Sequence, residues 1–541
     1  MRLSLIDRAI ATIAPSRAVS RAMARHRLDM IDKLPSIGAL AGGVGADPAI
    51  GGGSAPRPPV SNRWWRPLSR DARADTLPQL SLQRGQSREL ASTNPIAAGA
   101  INTNVDRIVG TGLALSAQPN RDVLGWTSEK TMAWKRITQN EFSLWADSKQ
   151  CDIEQFHNFY EAQGLVLRSA LVSGDCLTNL PDGDRNATMP YALRLQLLEA
   201  DRCGNPNGTP DTADVVAGVR LGRSGAAEAF HIYAQHPGAR FAVGTTGLFE
   251  GDWIERVGVT GRLRILHHYR KTRPGMPRGI PYLAPIVDCI KQISRYTEAE
   301  IMAAVISAYF TVFIETPTGN AAPVFDGTEP GAGAPGAEIG LGMGAVVGLA
   351  PGEKPHTSNP GRPNPNFDPF VQAIIKQMGM ALSLPYELLV KQFNASYSAS
   401  KAALLEAWVY FRNMRNWLAL SFCQPVYETW LAEAVAIGRI SAPGFFQDPL
   451  LRWAYTRAAW PGDSMGSINP KDEIEAYLRA VDGRIMTREH AEWLMWGTDF
   501  NQTFDQKADE QARLAAANLL PVAAPGAAPS ITPPSPKKDE Q

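Results

Sequence analysis

Cysteine is scarce and scattered in this chain of 541 residues. Its five copies, Cys151, Cys176, Cys203, Cys289 and Cys423, form no CxxC pair and lie near no histidine cluster. A tetrahedral zinc site takes ligands at short spacing on at least one side, so no structural metal is expected. An odd count without a secretory leader fits a reducing cytoplasm, with the thiols as small apolar core residues. Long apolar runs are missing too. The longest, 301–314, is bracketed by Glu300 and Glu315, short of the roughly 20 residues of a membrane span. The apolar start, 1–14, is interrupted by Asp7 and Arg8, and Arg17, Arg21, Arg25 and Arg27 follow. That pattern reads as a basic amphipathic helix and not as a signal peptide, so a soluble protein, cytoplasmic when made, is expected. An excess of one charge is absent: 54 Lys and Arg against 53 Asp and Glu give a net charge of +1, whereas proteins that grip duplex DNA usually carry a basic face, so nothing here resembles a sequence-specific DNA binder. Gly51, Gly52 and Gly53 are not followed by the GK[ST] of a P-loop, so nothing is placed to hold nucleotide phosphates, and no cofactor is implied.

With 44% hydrophobic and 20% charged residues, the chain reads as an ordinary folded protein of about three packed units. The Gly, Ala and Pro-rich stretch 36–62 reads as a flexible linker. Asn94 and Pro95 open a helix that ends near Gly110 and Gly112. A second helical stretch, 134–171, stops at Ser173-Gly174-Asp175. Strand patterns follow at 192–198, 215–221, 229–234 and 262–269, separated by turn residues. Helices followed by short antiparallel strands predict an α+β fold class. The segment 281–309 is a helix with Ile286, Val287, Ile290, Ile293, Ile301, Val305 and Ile306 on one stripe and Lys291, Arg295 and Glu298 opposite. Strands at 310–315 and 345–349 flank a Gly, Ala and Pro-rich insertion, 316–342.

Two helical patterns meet at 384–408. The first starts at Asp368, an N-cap candidate followed by Pro369, and carries Phe370, Val371, Ile374, Ile375, Met378 and Leu382. The second, capped by Ser398 or Ser400, carries Leu404, Leu405, Trp408, Phe411, Leu418 and Phe422 and runs on to a kink or break at Pro425. Between them, 391–400 is polar and has no apolar run able to bury it. It is either a presented loop or a plain connection with Phe393 and Tyr397 tucked into the core. Further on, after 450–460, Asn469 and Pro470 with Asp472 and Glu473 start a helix, and Thr487 caps another bearing Trp493 and Trp496 that ends at Gly497. From Ala515 the chain is Ala and Pro-rich and is expected to be disordered.

Several residue groups invite a sharper reading. Gly462-Asp463-Ser464-Met465-Gly466 matches GxSxG, the nucleophile elbow of serine hydrolases. That chemistry needs a strand ending at the serine and a helix starting directly after it. Here Pro461 precedes the motif, the next helix start is Asn469, and the only later histidine is His490. A loop is the plainer reading, with the hydrolase kept as the alternative. His267 and His268 are adjacent on a strand, so they face opposite ways and cannot share a metal. Glu315 with Glu353, or Asp288 with Glu298, are candidate carboxylate pairs without independent support. Trp64 and Trp65, flanked by arginines, are candidate interface anchors or packing on the chain's own body.

Four segments occur in the order known from one family: QLLEADR at 196–202, RPGMPRGIPYLA at 273–284, LPYELLVKQFNASYSASKAALLEAW at 384–408 and GDSMGSINPKDE at 462–473. Together they resemble the portal proteins of tailed phages, specifically the lambda-type family, over roughly residues 94–499. The resemblance implies a portal-type fold with a mainly helical wing and stem, a small β-containing clip and a long kinked helix after a channel loop. On that plan, 1–62 is the basic segment and linker, 63–280 the wing, 281–312 a stem helix, 313–366 the clip and 367–390 a second stem helix. Then 391–400 is the channel loop, 401–440 the long kinked helix, 441–514 C-terminal wing or crown helices and 515–541 a tail. The resemblance also implies no enzymatic activity and a ring of about twelve copies at one capsid vertex, a conduit for DNA packaging and ejection; a capsid or scaffold component without a DNA channel is the other alternative beside the hydrolase. Lys391, Gln392, Asn394, Ser396, Ser398 and Lys401 would make weak, sequence-independent contacts with double-stranded DNA. Lys291, Arg295 and Glu298 would form the polar face of the stem helix. The implied partners are the large terminase motor, the major capsid and scaffold proteins and the neck or head-completion proteins, with no membrane. The implied location is the virion, after assembly in the host cytoplasm.

Overall fold

The computed structural model describes residues 70–239, 249–308, 312–315, 346–349, 366–393, 396–464, 470–497 and 500–517. All of them belong to the second of two units, Arg70–Gln541; the arm, with Trp64 and Trp65, lies outside the described residues. Helix α1, Ala72–Thr93, is capped by Asp71 and meets α2, Pro95–Ile108, at Asn94. Asn94 serves both helices: its N–H donates to the Leu90 carbonyl, and its side chain accepts from the N–H groups of Ile96 and Ala97. Pro95, lacking an amide, sits where none is needed. Strand β1, Ser116–Ala117, leads to α3, Ser128–Ala146, and then α4, Phe159–Ser173, which opens on a capping box of Asn158 and Glu161. The helical stretch expected at 134–171 is thus two helices. The Asp152 carboxylate explains the interruption, because it accepts from the N–H groups of Glu154, Phe156 and His157 and competes with helical bonding.

Strand β2, Asp175–Asn179, pairs antiparallel with β3, Gln196–Glu199. A second antiparallel sheet runs in the order β4, Val215–Val216, β5, Val219–Leu221, β6, Ala227–Tyr233, and β7, Gly251–Glu255. The run expected as one strand at 215–221 is a hairpin, turned at Ala217 and Gly218 with φ of 48° and 83°. Strand β8, Ile265–Tyr269, returns to the first sheet on the free edge of β2. A small apolar cluster including Leu177, Leu198, Cys203, Phe230 and Ile265 belongs to the two sheets. The main core is aromatic: Phe142 meets Trp430 edge-on at 5.0 Å, and Phe159 stacks on Phe422 at 5.5 Å. Such pairs add about 0.5–1.5 kcal/mol each beyond area burial. Cys151, Cys176, Cys203 and Cys423 are buried free thiols and Cys289 is partly exposed; burial pushes the Cys151 thiol up to about 12.

Helix α5, Val287–Ala308, follows a 3-10 turn at Ala284–Ile286. Its stripe is buried at Val287, Ile290 and Ile293, whereas Ile301, Met302 and Val305 are 58, 55 and 43% exposed. The expected single apolar face is therefore covered only in its first half. Strands β9, Val312–Glu315, and β10, Val346–Leu349, pair in parallel; the insertion between them lies outside the described residues. Helix α6, Phe367–Leu382, is preceded by Asn366 at the cap position. Asp368 lies inside the first turn, where its carboxylate accepts from Gln372, so it is not the cap. After α7, Tyr386–Val390, comes α8, Tyr397–Leu418, then a π turn, Ala419–Cys423, and α9, Gln424–Ala436. The Gln424 N–H donates to Ala419, an i to i−5 bond, one residue before Pro425. The helix widens into a π turn at the proline that lacks the next donor, and it is not broken there. The rest is α10, Pro449–Thr456, β11, Ala458–Ala459, paired with β1, then α11, Pro470–Asp482, α12, Arg488–Trp496, and α13, Phe500–Ala516.

One buried carboxylate ties these parts together. Asp175, at the start of β2, accepts from Arg84 Nη2 of α1 at 2.6 Å and from Arg278 Nε at 2.5 Å, and lies 3.0 Å from His267 Nε2. Arg278, itself buried, also donates to the carbonyls of Ala200, Cys203 and Ala217. Arg84 donates further to the Ser173 carbonyl and to Asp201, which also pairs with Arg88. Burial alone would raise the Asp175 carboxyl, but the guanidiniums of Arg278 and Arg84 outweigh it and hold the group well below the carboxylate range.

Two outcomes follow for stability. Asp175→Asn leaves two buried guanidiniums short of a counter-charge and should destabilise the fold by about 3–5 kcal/mol, read from chemical denaturation. His268, buried 2.9 Å from Thr178 Oγ1, is held at about 3 by burial and by its neighbour His267. Between that value and the ordinary 6.5 the unfolded chain takes up a proton that the folded chain excludes, so this stability is present above the upper bound and lost as pH falls. Denaturation midpoints should drop on acidification from pH 6.5 to 4, and His268→Gln should reduce that slope by up to about 1.4 kcal/mol per pH unit.

Candidate functional site

The loop between α7 and α8 stands on a platform set by local chemistry. Helix α6 ends at Ser383 in the left-handed region, and the Leu384 N–H reaches back to the Gly379 carbonyl at 2.9 Å. Pro385 opens α7, whose Leu388 and Leu389 are buried as anchors. Lys391 closes α7 with φ of 56°, and both its N–H and that of Gln392 donate to the Glu387 carbonyl. The Tyr282 hydroxyl donates to Leu382 at the end of α6 and receives Asn104 Nδ2 of α2 at 3.3 Å. This places the platform against the helical core.

Lys391, Gln392 and Phe393 are exposed, Phe393 by 50%. The loop is thus presented at these residues, and Phe393 is not tucked into the core. Asn394 lies outside the described residues. Ser396, and not Ser398 or Ser400, caps α8: its side chain accepts from the Ala399 N–H, and its Oγ lies 3.3 Å from Ser398 Oγ. Lys401 Nζ pairs with Glu473 of α11 at 2.9 Å. Within the protomer this lysine joins two helices, and Lys391 is the cation at the loop tip.

Farther along α8, Arg415 donates to the carbonyls of Arg107, Ile108 and Asp463, and its guanidinium lies 5.4 Å from the Trp408 ring centre. The Asp463 carboxylate receives the Thr111 N–H and hydroxyl at 3.1 and 3.0 Å. These bonds pin α8 between the end of α2 and the segment after β11. No sequence motif announced Arg415 or the Asp175 cluster, although Arg278 stands within the segment 273–284.

The remaining candidates do not join this site. Lys291, Arg295 and Glu298 are exposed along α5. Asp288 and Glu298, ten positions apart, are separated by about 15 Å of helix rise, too far for a carboxylate pair. The Glu315 side chain and Glu353 lie outside the described residues. His267 turns to Asp175 and His268 to Thr178, on opposite faces of β8. Ser464 and His490 line one cavity of about 580 Å³. However, 460–464 has no regular structure, so no strand ends at the serine, and the Asp463 carboxylate is committed to Thr111. Nothing supports the hydrolase alternative. Among the described residues no group of three His, Cys, Asp or Glu can hold a metal ion, and no helix is long and apolar enough to cross a membrane.

A sequence model described as "Phage portal protein, lambda family" matches residues 59–415. The chain is similar to the portal protein of Escherichia phage N15, 24% identical over 489 residues that cover 85% of this chain and 89% of the relative. It is equally similar to portal protein B of Escherichia phage lambda, 24% identical over 487 residues with the same shares of both chains. Among solved structures, a chain from the neck of an empty gene transfer agent particle computed with C6 symmetry aligns with a TM-score of 0.39 and 12% identity, covering 76% of this chain and 93% of that one.

Proposed function

The chain belongs to the lambda family of phage portal proteins, and from that premise we propose that about twelve copies close head to tail into a ring at one capsid vertex. As a portal protein it is a structural, non-enzymatic component of the virion. The family match over 59–415 carries this reading. An apolar surface that one protomer leaves uncovered supports ring closure: Ile301, Met302 and Val305 on α5, with Phe370 on α6, are large, exposed and in want of a partner. A cyclic assembly supplies that partner from the next copy, using different faces of the same chain on its two sides.

Double-stranded DNA passes through the centre of such a ring during packaging and ejection. The net charge of +1 suits that role, because every phosphate neutralised adds affinity through released counterions, and strong affinity would stop the DNA from sliding. Lys391, with Gln392, Asn394, Ser396 and Ser398, forms the loop that touches the DNA. Lys401 braces the loop through Glu473 and reaches phosphate only if that pair opens. The region 313–366 is the clip that meets the large terminase motor and later the neck proteins. The polar face of the stem helix, Lys291, Arg295 and Glu298, and the wing at 63–280 meet neighbouring copies, capsid and scaffold. Assembly takes place in the host cytoplasm.

Light scattering on a sizing column should give a native mass near about 700 kDa for about twelve chains of 58.7 kDa, and class averages in the electron microscope should show a ring with a hole wide enough for duplex DNA. A monomer that persists with scaffold protein present overturns the ring. Lys391→Ala should leave ring mass unchanged while altering packaging rate or DNA retention in the filled head; a loss of assembly instead would make the loop a packing element.

A further inference from the structure

The stretch 256–278 carries seven Arg and Lys and no Asp or Glu, in a chain whose net charge is only +1. Three of the seven are neutralised within the fold: Arg262 by Asp182, Arg273 by Asp75 and Arg278 by Asp175. Arg256, just past β7, and Lys271, just past β8, are not. With Arg73 of α1 they line one depression of about 400 Å³, and no acidic side chain lines it. Among the described residues none of these three cations has a carboxylate partner. Of the acids close by, Asp71 caps α1, Asp75 pairs with Arg273 and Glu255 with Arg220; Glu228, whose carbonyl accepts the Arg256 N–H, does not line the depression.

The floor of the same depression is apolar. Phe230, Leu266 and Met276 are buried beneath it, and Leu420, presented by the π turn, stands at its rim with 62% exposure. A rim of three cations from three separate elements around an apolar floor suits a ligand that is both anionic and apolar. Its volume falls within the range of about 300–1,000 Å³ usual for built binding pockets. Duplex phosphates would satisfy the cations yet leave the floor facing water. Carboxylates on either side of an apolar side chain satisfy both, the charges steering and orienting the segment and the apolar group anchoring it.

We propose that this depression is the docking site of a partner protein's acidic peptide segment bearing one or two large apolar side chains. All of the lining residues come from one protomer. The probe is a short fluorescent peptide of Glu and Asp flanking a central pair of leucines, titrated into the full-length chain with anisotropy as readout. Arg256→Glu combined with Lys271→Glu should weaken binding by about tenfold or more, and replacing the peptide's leucines by serine, or Leu420 by Ser, should weaken it separately. Arg256 and Lys271 are exposed, so thermal midpoint and native mass should stay unchanged in the double variant. Absence of binding, indifference to the charge reversal, or equally tight binding at this site of a DNA duplex of matched charge overturns the proposal.

Discussion

A carboxylate that gives up all of its water must be surrounded by charge and donors, and Asp175 imposes that requirement on this fold. Its partners come from distant places: Arg84 lies 91 positions earlier and Arg278 103 positions later. Satisfying them brings α1, the start of β2 and the segment 273–279 to one point. Arg278 then uses its remaining donors on carbonyls of the chain between β3 and β6, which joins the second sheet to the first. Removing one partner leaves an unpaired buried ion, which is far worse than the loss of a surface pair.

From that point the geometry passes to the helical half of the molecule. Strand β8 carries His267 to Asp175 on one face, and on the other carries His268, whose ring meets Phe422 of the π turn edge-on at 5.5 Å. The π turn in turn stacks on α4 through Phe159 and sets the line of α8, which Arg415 holds against the end of α2. The loop at Lys391 is thus held in place by a chain of packed rings and buried donors that starts at the ion cluster. A portal needs this kind of rigidity, since many copies must repeat one shape closely enough to close a ring. The exposed second half of α5 is the apolar surface that the proposed ring would cover.

Much of the secondary structure was legible because its signals are short in range. Asn94 with Pro95, and Thr487 with Gly497, start and stop helices through bonds that span three or four residues. Strand patterns located β6 and β8 within a few residues. Helix α1 was not legible: Pro78 and Gly85 interrupt its pattern, and three of its five buried residues, Thr76, Arg84 and Ser87, are polar. Such a helix is held by ion pairs, which leave no apolar period to read. Asp368 has the identity of a cap yet lies inside its helix, and Asp152 broke a helix that apolar spacing alone would have continued.

The polar stretch 391–400 between two apolar stripes located the candidate loop from the sequence, and four ordered segments pointed to the family. Residue order also excluded a nucleotide-binding P-loop, because no Gly-Lys followed by Ser or Thr occurs in the chain. Tertiary structure decided the rest: that Phe393 faces out, that Lys401 is taken up by Glu473 72 positions away, and that Arg73, Arg256 and Lys271 surround one depression. Caps, turns and periodicities are properties of neighbours along the chain, so they can be read in order. The partner of a charge is whichever residue folding brings within a few ångströms, and spacing along the sequence does not encode that distance.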